Sequence, residues 1–136
     1  MARLILDTMV LIATERHGGV LDAAIGDGDD VAIAAVTAAE LWLGVELAGA
    51  RHRQARRAFV DEVLSVVPVE RYDLDVARAH ATLLAHARRT GRPRGIHDLI
   101  IAATALARQR EVVSGDDRGF EDLPGVALRS LTTSTD

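Results

Sequence analysis

Four acidic residues lie at chain positions where a parallel sheet flanked by helices would bring them together. Asp7 follows one short apolar run, and Asp116 follows another that ends at Ser114. Glu40 and Asp98 each fall within the first turn of a predicted helix. The carboxyl ends of parallel strands and the amino ends of the following helices share one edge of the sheet. We therefore expect the four carboxylates to converge at that edge.

Converging carboxylates repel one another, so they either take up protons or require a cation. Oxygen-only ligands suit Mg²⁺, with Mn²⁺ as the alternative. A divalent ion held in this way lowers the pKa of a water molecule and neutralises charge on a phosphodiester. The predicted chemistry is metal-assisted phosphodiester hydrolysis.

Two of these acids also have a structural explanation, so their role is not decided by the sequence alone. Glu40 stands in the pattern Thr37-x-x-Glu40, which is typical of a helix capping box. Asp98 is two residues after Ile96 and would complement a helix dipole. Asp7 is harder to explain structurally, because burial at a strand end penalises a carboxylate unless a cation binds it.

Composition removes several other reaction classes. The 136 residues are 49% apolar and 26% charged, which predicts a folded globular protein. All 16 basic residues are Arg, so a lysine Schiff base and a P-loop lysine are excluded. The absence of Cys excludes thiolate-ligated zinc sites and cysteine nucleophiles. The net charge of −4 requires any attraction to an anionic phosphodiester substrate to come from local Arg clusters. We expect a cytoplasmic protein without membrane association, since no apolar run is long enough for a span or a signal peptide.

Apolar runs of strand length alternate with helical patterns along the chain, which predicts an α/β fold with a central parallel sheet flanked by helices. One domain is expected over residues 1–131, followed by a frayed tail at 132–136. The predicted strands cover 3–6, 31–36, 67–69, 112–113 and 126–131, and the longer helices begin at Thr37, near Ala50, after Asp73 or Asp75, and at Ile96.

Taken in order, four motifs resemble the PIN-domain ribonucleases, with greatest likeness to the VapC-type toxins of type II toxin-antitoxin systems. The motifs are Leu6-Asp7-Thr8, Val36-Thr37-Ala38-Ala39-Glu40-Leu41, Ile96-His97-Asp98-Leu99-Ile100-Ile101-Ala102-Ala103-Thr104-Ala105 and Ser114-Gly115-Asp116. The resemblance covers nearly the whole chain.

The resemblance implies a PIN-like fold and a Mg²⁺- or Mn²⁺-dependent endoribonuclease that cleaves structured RNA, such as tRNA or rRNA, and arrests translation. It also implies inhibition by a VapB-like antitoxin, and homodimerisation. Carried over by position, the metal ligands are Asp7, Glu40, Asp98 and Asp116. Two departures stand out: Met9 replaces the usual serine, and Asp117 offers a second acid beside Asp116.

Further candidates flank the expected acidic site. Arg92 and Arg94 precede Asp98, and Arg118 follows Asp116, so these arginines would meet RNA phosphates at the same edge or else form an ordinary solvated surface. His97 adjoins Asp98 and suggests a catalytic role, but neighbouring helical side chains point about 100° apart.

Two other functions fit the same sequence. One is a catalytically weak RNA- or partner-binding PIN module, with Met9 marking the weakened site. The other is a PIN nuclease in RNA maturation with no antitoxin. Metal-dependent turnover distinguishes the first from a toxin, and a small reading frame immediately upstream distinguishes the second.

Overall fold

A computed structural model describes residues 1–17 and 26–131. The predicted tail at 132–136, and the polar turn that the sequence His17-Gly18-Gly19 predicts from Gly18 onward, lie outside the described residues. The elements in chain order are β1 (Arg3–Leu6), α1 (Thr8–His17), β2 (Asp30–Ala34), α2 (Ala35–Leu47), α3 (Ala50–Val66), β3 (Val69–Glu70), α4 (Leu74–Thr90), α5 (Ile96–Arg108), β4 (Glu111–Ser114), a 3₁₀ turn (Asp117–Gly119) and β5 (Leu128–Ser130).

The strands form one parallel sheet in the order β3-β2-β1-β4-β5. β1 lies at the centre, where Ile5 pairs with Ala32 on one side and Val112 on the other. β1 and β4 are therefore neighbours although about 100 residues separate them in sequence. This adjacency brings the residue after β1, Asp7, beside the last residue of β4, Ser114.

Side chains of β1 alternate between two apolar layers, as a strand covered on both faces requires. Ile5 packs with residues of α4 and α5, whereas Leu4 and Leu6 pack with α2 and α3. The predicted α/β fold with helices on both faces of a parallel sheet is confirmed. Among the described helices, none is both long and apolar enough to cross a bilayer.

The start of α2 differs from the sequence prediction. β2 ends at Ala34 and the helix begins at Ala35, two residues before Thr37. Ala34 is the N-cap and gives no side-chain hydrogen bond. The β-branched Val36 fits a strand or a helix, so the apolar pattern alone does not locate this boundary.

Candidate active site

Asp7 is a buried carboxylate between the end of β1 and the start of α1, with a side chain only 5% exposed. The Ser114 hydroxyl lies 3.1 Å from its Oδ2, and the backbone N–H groups of Met9 and Thr8 also donate to it. Burial, followed by repulsion from Asp98, nevertheless raises the pKa of Asp7 to about 6. Asp7 is thus a carboxylate whose negative charge the protein only partly stabilises.

Asp98 is the electrostatic centre of the acidic residues. It lies in the first turn of α5, and burial together with repulsion from Glu40 and Asp116 raises its pKa, while His97 acts in the opposite direction. Because Asp98 also acts on Asp7, its carboxylate interacts with all three of the other predicted site acids.

Two glycines let backbone approach the Asp98 side chain closely. A Cβ at Gly119 would clash with the Asp98 carboxylate, and a Cβ at Gly95 would lie 3.1 Å from its Oδ2. The turn after β4 therefore closes over α5 only because position 119 has no side chain. Sequence reasoning missed this role, since nothing in the residues around Gly119 indicates that it approaches Asp98.

The cap interpretation of Glu40 is wrong, and so is its predicted position in the first helical turn. α2 begins at Ala35, its first turn contains no acid, and the helix has no side-chain cap. Glu40 thus lies too far into α2 for a capping box, whose glutamate occupies the third helical position.

The carboxylate of Glu40 is instead held by side chains from two other helices. Thr8 Oγ1 donates to Oε1 at 2.7 Å, and His97 Nδ1 lies 3.1 Å from Oε2. His97 thus contacts Glu40 rather than its neighbour Asp98, as the angular separation along a helix favours. These contacts join the starts of α1 and α5 to α2.

The two acids after β4 differ in their surroundings. Asp116 is exposed, and Arg118 holds its carboxylate through hydrogen bonds from the backbone N–H, Nε and Nη2 at 3.1–3.2 Å, which lower its pKa. Asp117 opens the 3₁₀ turn, and its buried Oδ1 has no hydrogen-bond partner. The electrostatic action of Asp116 on Asp98 favours Asp116 as the fourth acid.

The three predicted RNA-contacting arginines all interact within the chain. Arg92 pairs with Glu121 at 2.6 Å and with Asp122 at 3.0 Å, while Arg94 Nη1 donates to the Arg118 carbonyl. Arg118 pairs with Asp116. Binding of RNA phosphate by any of them must therefore compete with these contacts, and their role in binding RNA stays a prediction.

The donor chemistry of this edge fits a divalent cation, although the side chains are not assembled around one. Throughout residues 1–17 and 26–131, no three His, Asp or Glu side chains form a group able to hold a metal ion. Glu40 is bound to Thr8 and His97, and Asp116 to Arg118. Burial first, and then repulsion from neighbouring carboxylates, raises the pKa of Asp7 and of Asp98, and a bound cation would relieve that repulsion.

Comparisons with known proteins identify the same family that the sequence motifs resemble. The model of the PIN domain matches residues 4–126. Ribonuclease VapC5 of Mycobacterium tuberculosis is 41% identical over 123 residues, covering 90% of this chain and 89% of the relative. The tRNA(fMet)-specific endonuclease VapC of Salmonella typhimurium is 33% identical over 96 residues, covering 71% of each chain.

A solved structure shows the same fold at comparable similarity. It is a member of the VapBC family of toxin-antitoxin systems, VapBC-5 from M. tuberculosis, with a TM-score of 0.78 and 36% identity, covering 96% of this chain and 98% of that one. The chain therefore belongs to the PIN-domain family and, within it, to the VapC ribonucleases.

Proposed function

We propose that this protein is a Mg²⁺- or Mn²⁺-dependent endoribonuclease whose metal ligands are Asp7, Glu40, Asp98 and Asp116. The main support is that Asp98 interacts electrostatically with the other three acids. Burial first, and then repulsion from neighbouring site acids, raises the pKa of Asp98 and of Asp7. Carboxylates buried only for structure are usually paired with cations, because unpaired buried charge is costly. Among the described residues, Glu40 contacts His97 and Asp116 pairs with Arg118, whereas Asp7 and Asp98 form no salt bridge.

The residues of the chain have distinct tasks in this reaction. Asp7 and Asp98 supply the carboxylates nearest the interior, while Glu40 and Asp116 extend the donor set towards solvent. A bound divalent ion supplies activation of a water nucleophile and neutralisation of phosphodiester charge. Ser114 fixes the loop after β4, since its hydroxyl accepts from the Asp116 N–H at 3.0 Å while lying beside Asp7.

Cleavage of total cellular RNA by the purified protein tests this function. With Mg²⁺ or Mn²⁺ we expect discrete fragments that vanish in EDTA and in an Asp7→Asn variant. A folded protein that binds RNA but shows no metal-dependent turnover would instead favour a binding module.

We also propose that the protein is the toxin of a VapBC-type pair, inhibited by a VapB-like antitoxin, and that it arrests translation by cleaving structured RNA. The name of the Salmonella relative supports tRNA as the first substrate to test, ahead of rRNA. Exposed apolar side chains Leu43 and Leu47 on α2, and Val66 on α3, offer surface for the antitoxin or for a homodimer. Co-purification with the product of a small upstream reading frame would separate this role from RNA maturation.

A further inference from the structure

A buried chain of hydroxyl groups leads to one of the proposed metal ligands. Thr8 Oγ1, at the first position of α1, lies 2.7 Å from Glu40 Oε1 and 3.0 Å from Thr37 Oγ1. Thr8 is 4% exposed and Thr37 is fully buried. Thr37 and Glu40 are three residues apart on α2, so both face α1.

The hydrogen bonds in this chain have a fixed direction. A hydroxyl carries one proton, and an ionised carboxylate only accepts hydrogen bonds. Thr8 therefore donates its proton to Glu40, and its oxygen accepts the proton of Thr37. In the order Thr37 to Thr8 to Glu40, each threonine proton has an acceptor. This is favourable because an unpaired buried hydroxyl is costly.

We propose that Thr8 is a positioning residue for metal binding, supported by Thr37, and this inference rests on the proposed function. The hydrogen bond from Thr8 holds one oxygen of Glu40, so that the Glu40 carboxylate stays close enough to interact electrostatically with Asp98. Met9, which replaces the family's usual serine, is 59% exposed, and its side chain carries no hydroxyl. At the start of α1, the buried hydroxyl that contacts a proposed ligand is therefore that of Thr8.

Three substitutions distinguish a positioning role of the Thr8 hydroxyl from a role of the Thr8 side chain in packing. Thr8→Val keeps the shape of the side chain but removes the hydroxyl, Thr8→Ser keeps the hydroxyl, and Thr37→Val removes only the supporting donor. Thr104→Val is the matched control, because Thr104 is equally buried but donates to the Ile100 carbonyl within α5. Each variant is compared with wild type by thermal unfolding, Mn²⁺ titration calorimetry, and kcat and KM for RNA.

We expect Thr8→Val to weaken Mn²⁺ binding by roughly 10- to 100-fold, as loss of an outer-shell partner of a metal ligand does. kcat should fall with it while KM for RNA stays near the wild-type value. Thr37→Val should show a smaller loss in the same direction, and Thr8→Ser should recover affinity. Thr104→Val should lose thermal stability without losing Mn²⁺ affinity.

The inference is overturned if folded Thr8→Val keeps wild-type Mn²⁺ affinity and kcat, or if Thr104→Val loses as much Mn²⁺ affinity as Thr8→Val. If Thr8→Val fails to fold, Thr37→Val and Thr8→Ser test the proposal in its place. Wild-type Mn²⁺ affinity in Thr37→Val would then contradict the proposal. Failure of the proposed function is distinct, because wild-type protein would then neither bind Mn²⁺ nor cleave RNA.

Discussion

Two clusters of charged residues in this molecule use the same residue types with opposite results. Around Arg110, near the amino ends of β1, β2 and β4, carboxylates and guanidinium groups are paired. At the opposite end of β1, Asp7 and Asp98 have raised pKa values, and within residues 1–17 and 26–131 neither carboxylate forms a salt bridge. The paired cluster consists of Arg3, Arg108 and Arg110 with Asp30, Glu70 and Asp73.

Arg110 shows how completely the paired cluster is satisfied. It is 8% exposed, and it donates to the carboxylates of Asp30 and Glu70 and to the carbonyls of Leu4 and Asp30 at 3.0–3.2 Å. This chain thus neutralises partly buried acids with arginine at one end of β1 but does not do so around Asp7 and Asp98 at the other. Unbalanced negative charge at that edge is what a cation-binding site requires.

The largest expected effect is loss of RNA cleavage on Asp98→Asn. Metal-assisted charge stabilisation contributes several kcal/mol to such reactions, so kcat should fall by roughly 1,000-fold. Asp61→Asn, an exposed change on α3, is the matched control and should leave cleavage unaltered. Near-wild-type cleavage by Asp98→Asn would remove the acidic edge from the mechanism.

A substitution in the paired cluster, Arg110→Met, should lower the stability of the protein and leave cleavage of RNA unchanged. It leaves Asp30 and Glu70 with fewer partners, and we expect a loss of about 2 kcal/mol in the free energy of unfolding. Denaturant unfolding measures this loss, with the exposed Arg57→Met as control. Activity per folded molecule should match that of wild type. A large fall in kcat would contradict the view that the Arg110 cluster serves stability and the acidic edge serves cleavage.

Asp7→Asn should make the metal-free protein more stable at neutral pH. Because the pKa of Asp7 rises from 3.8 to about 6 on folding, the stability it contributes is full below pH 3.8 and is lost as the pH rises through 6. The variant avoids that loss, so its advantage should grow from near zero at pH 3.5 to at most about 3 kcal/mol at pH 7. Unfolding curves across this range in EDTA measure the advantage, and equal pH profiles for the two proteins would contradict the cause assigned to the shift.

The smallest effect is expected from Arg118→Ala. Arg118 and Asp116 form an exposed pair, so thermal stability should change little, while Mn²⁺ affinity should rise by roughly two- to threefold once Asp116 is released. KM for RNA should increase if Arg118 also binds phosphate. An unchanged KM would assign Arg118 to Asp116 alone.

Local patterns predicted much of this structure. The central strand ends at Leu6 as expected, α5 begins at Ile96, and Asp73 caps α4 with a hydrogen bond from the Val76 N–H. Each of these features depends on neighbouring residues, which one sequence displays. Asp7 lies directly after β1 and Asp98 in the first turn of α5, as the sequence predicted for two of the four acids.

Contacts between distant segments were not predictable in the same way. Sequence reasoning left Glu40 open as a metal ligand or a helix cap, and it did not predict that the fold turns the Glu40 carboxylate to Thr8 on α1 and His97 on α5. Arg110 is likewise 80 residues from Asp30 in sequence. Such partners are selected by the packing of whole elements, and periodicity along one element carries no information about them.

Mn²⁺ titration calorimetry at pH 7 on wild type, Asp98→Asn and Arg110→Met tests the functional difference between the two clusters most directly. We predict saturable binding by wild type and by Arg110→Met, and its loss in Asp98→Asn. Equal Mn²⁺ binding by wild type and Asp98→Asn, or none by the folded wild type, would contradict assignment of the acidic edge as the metal site.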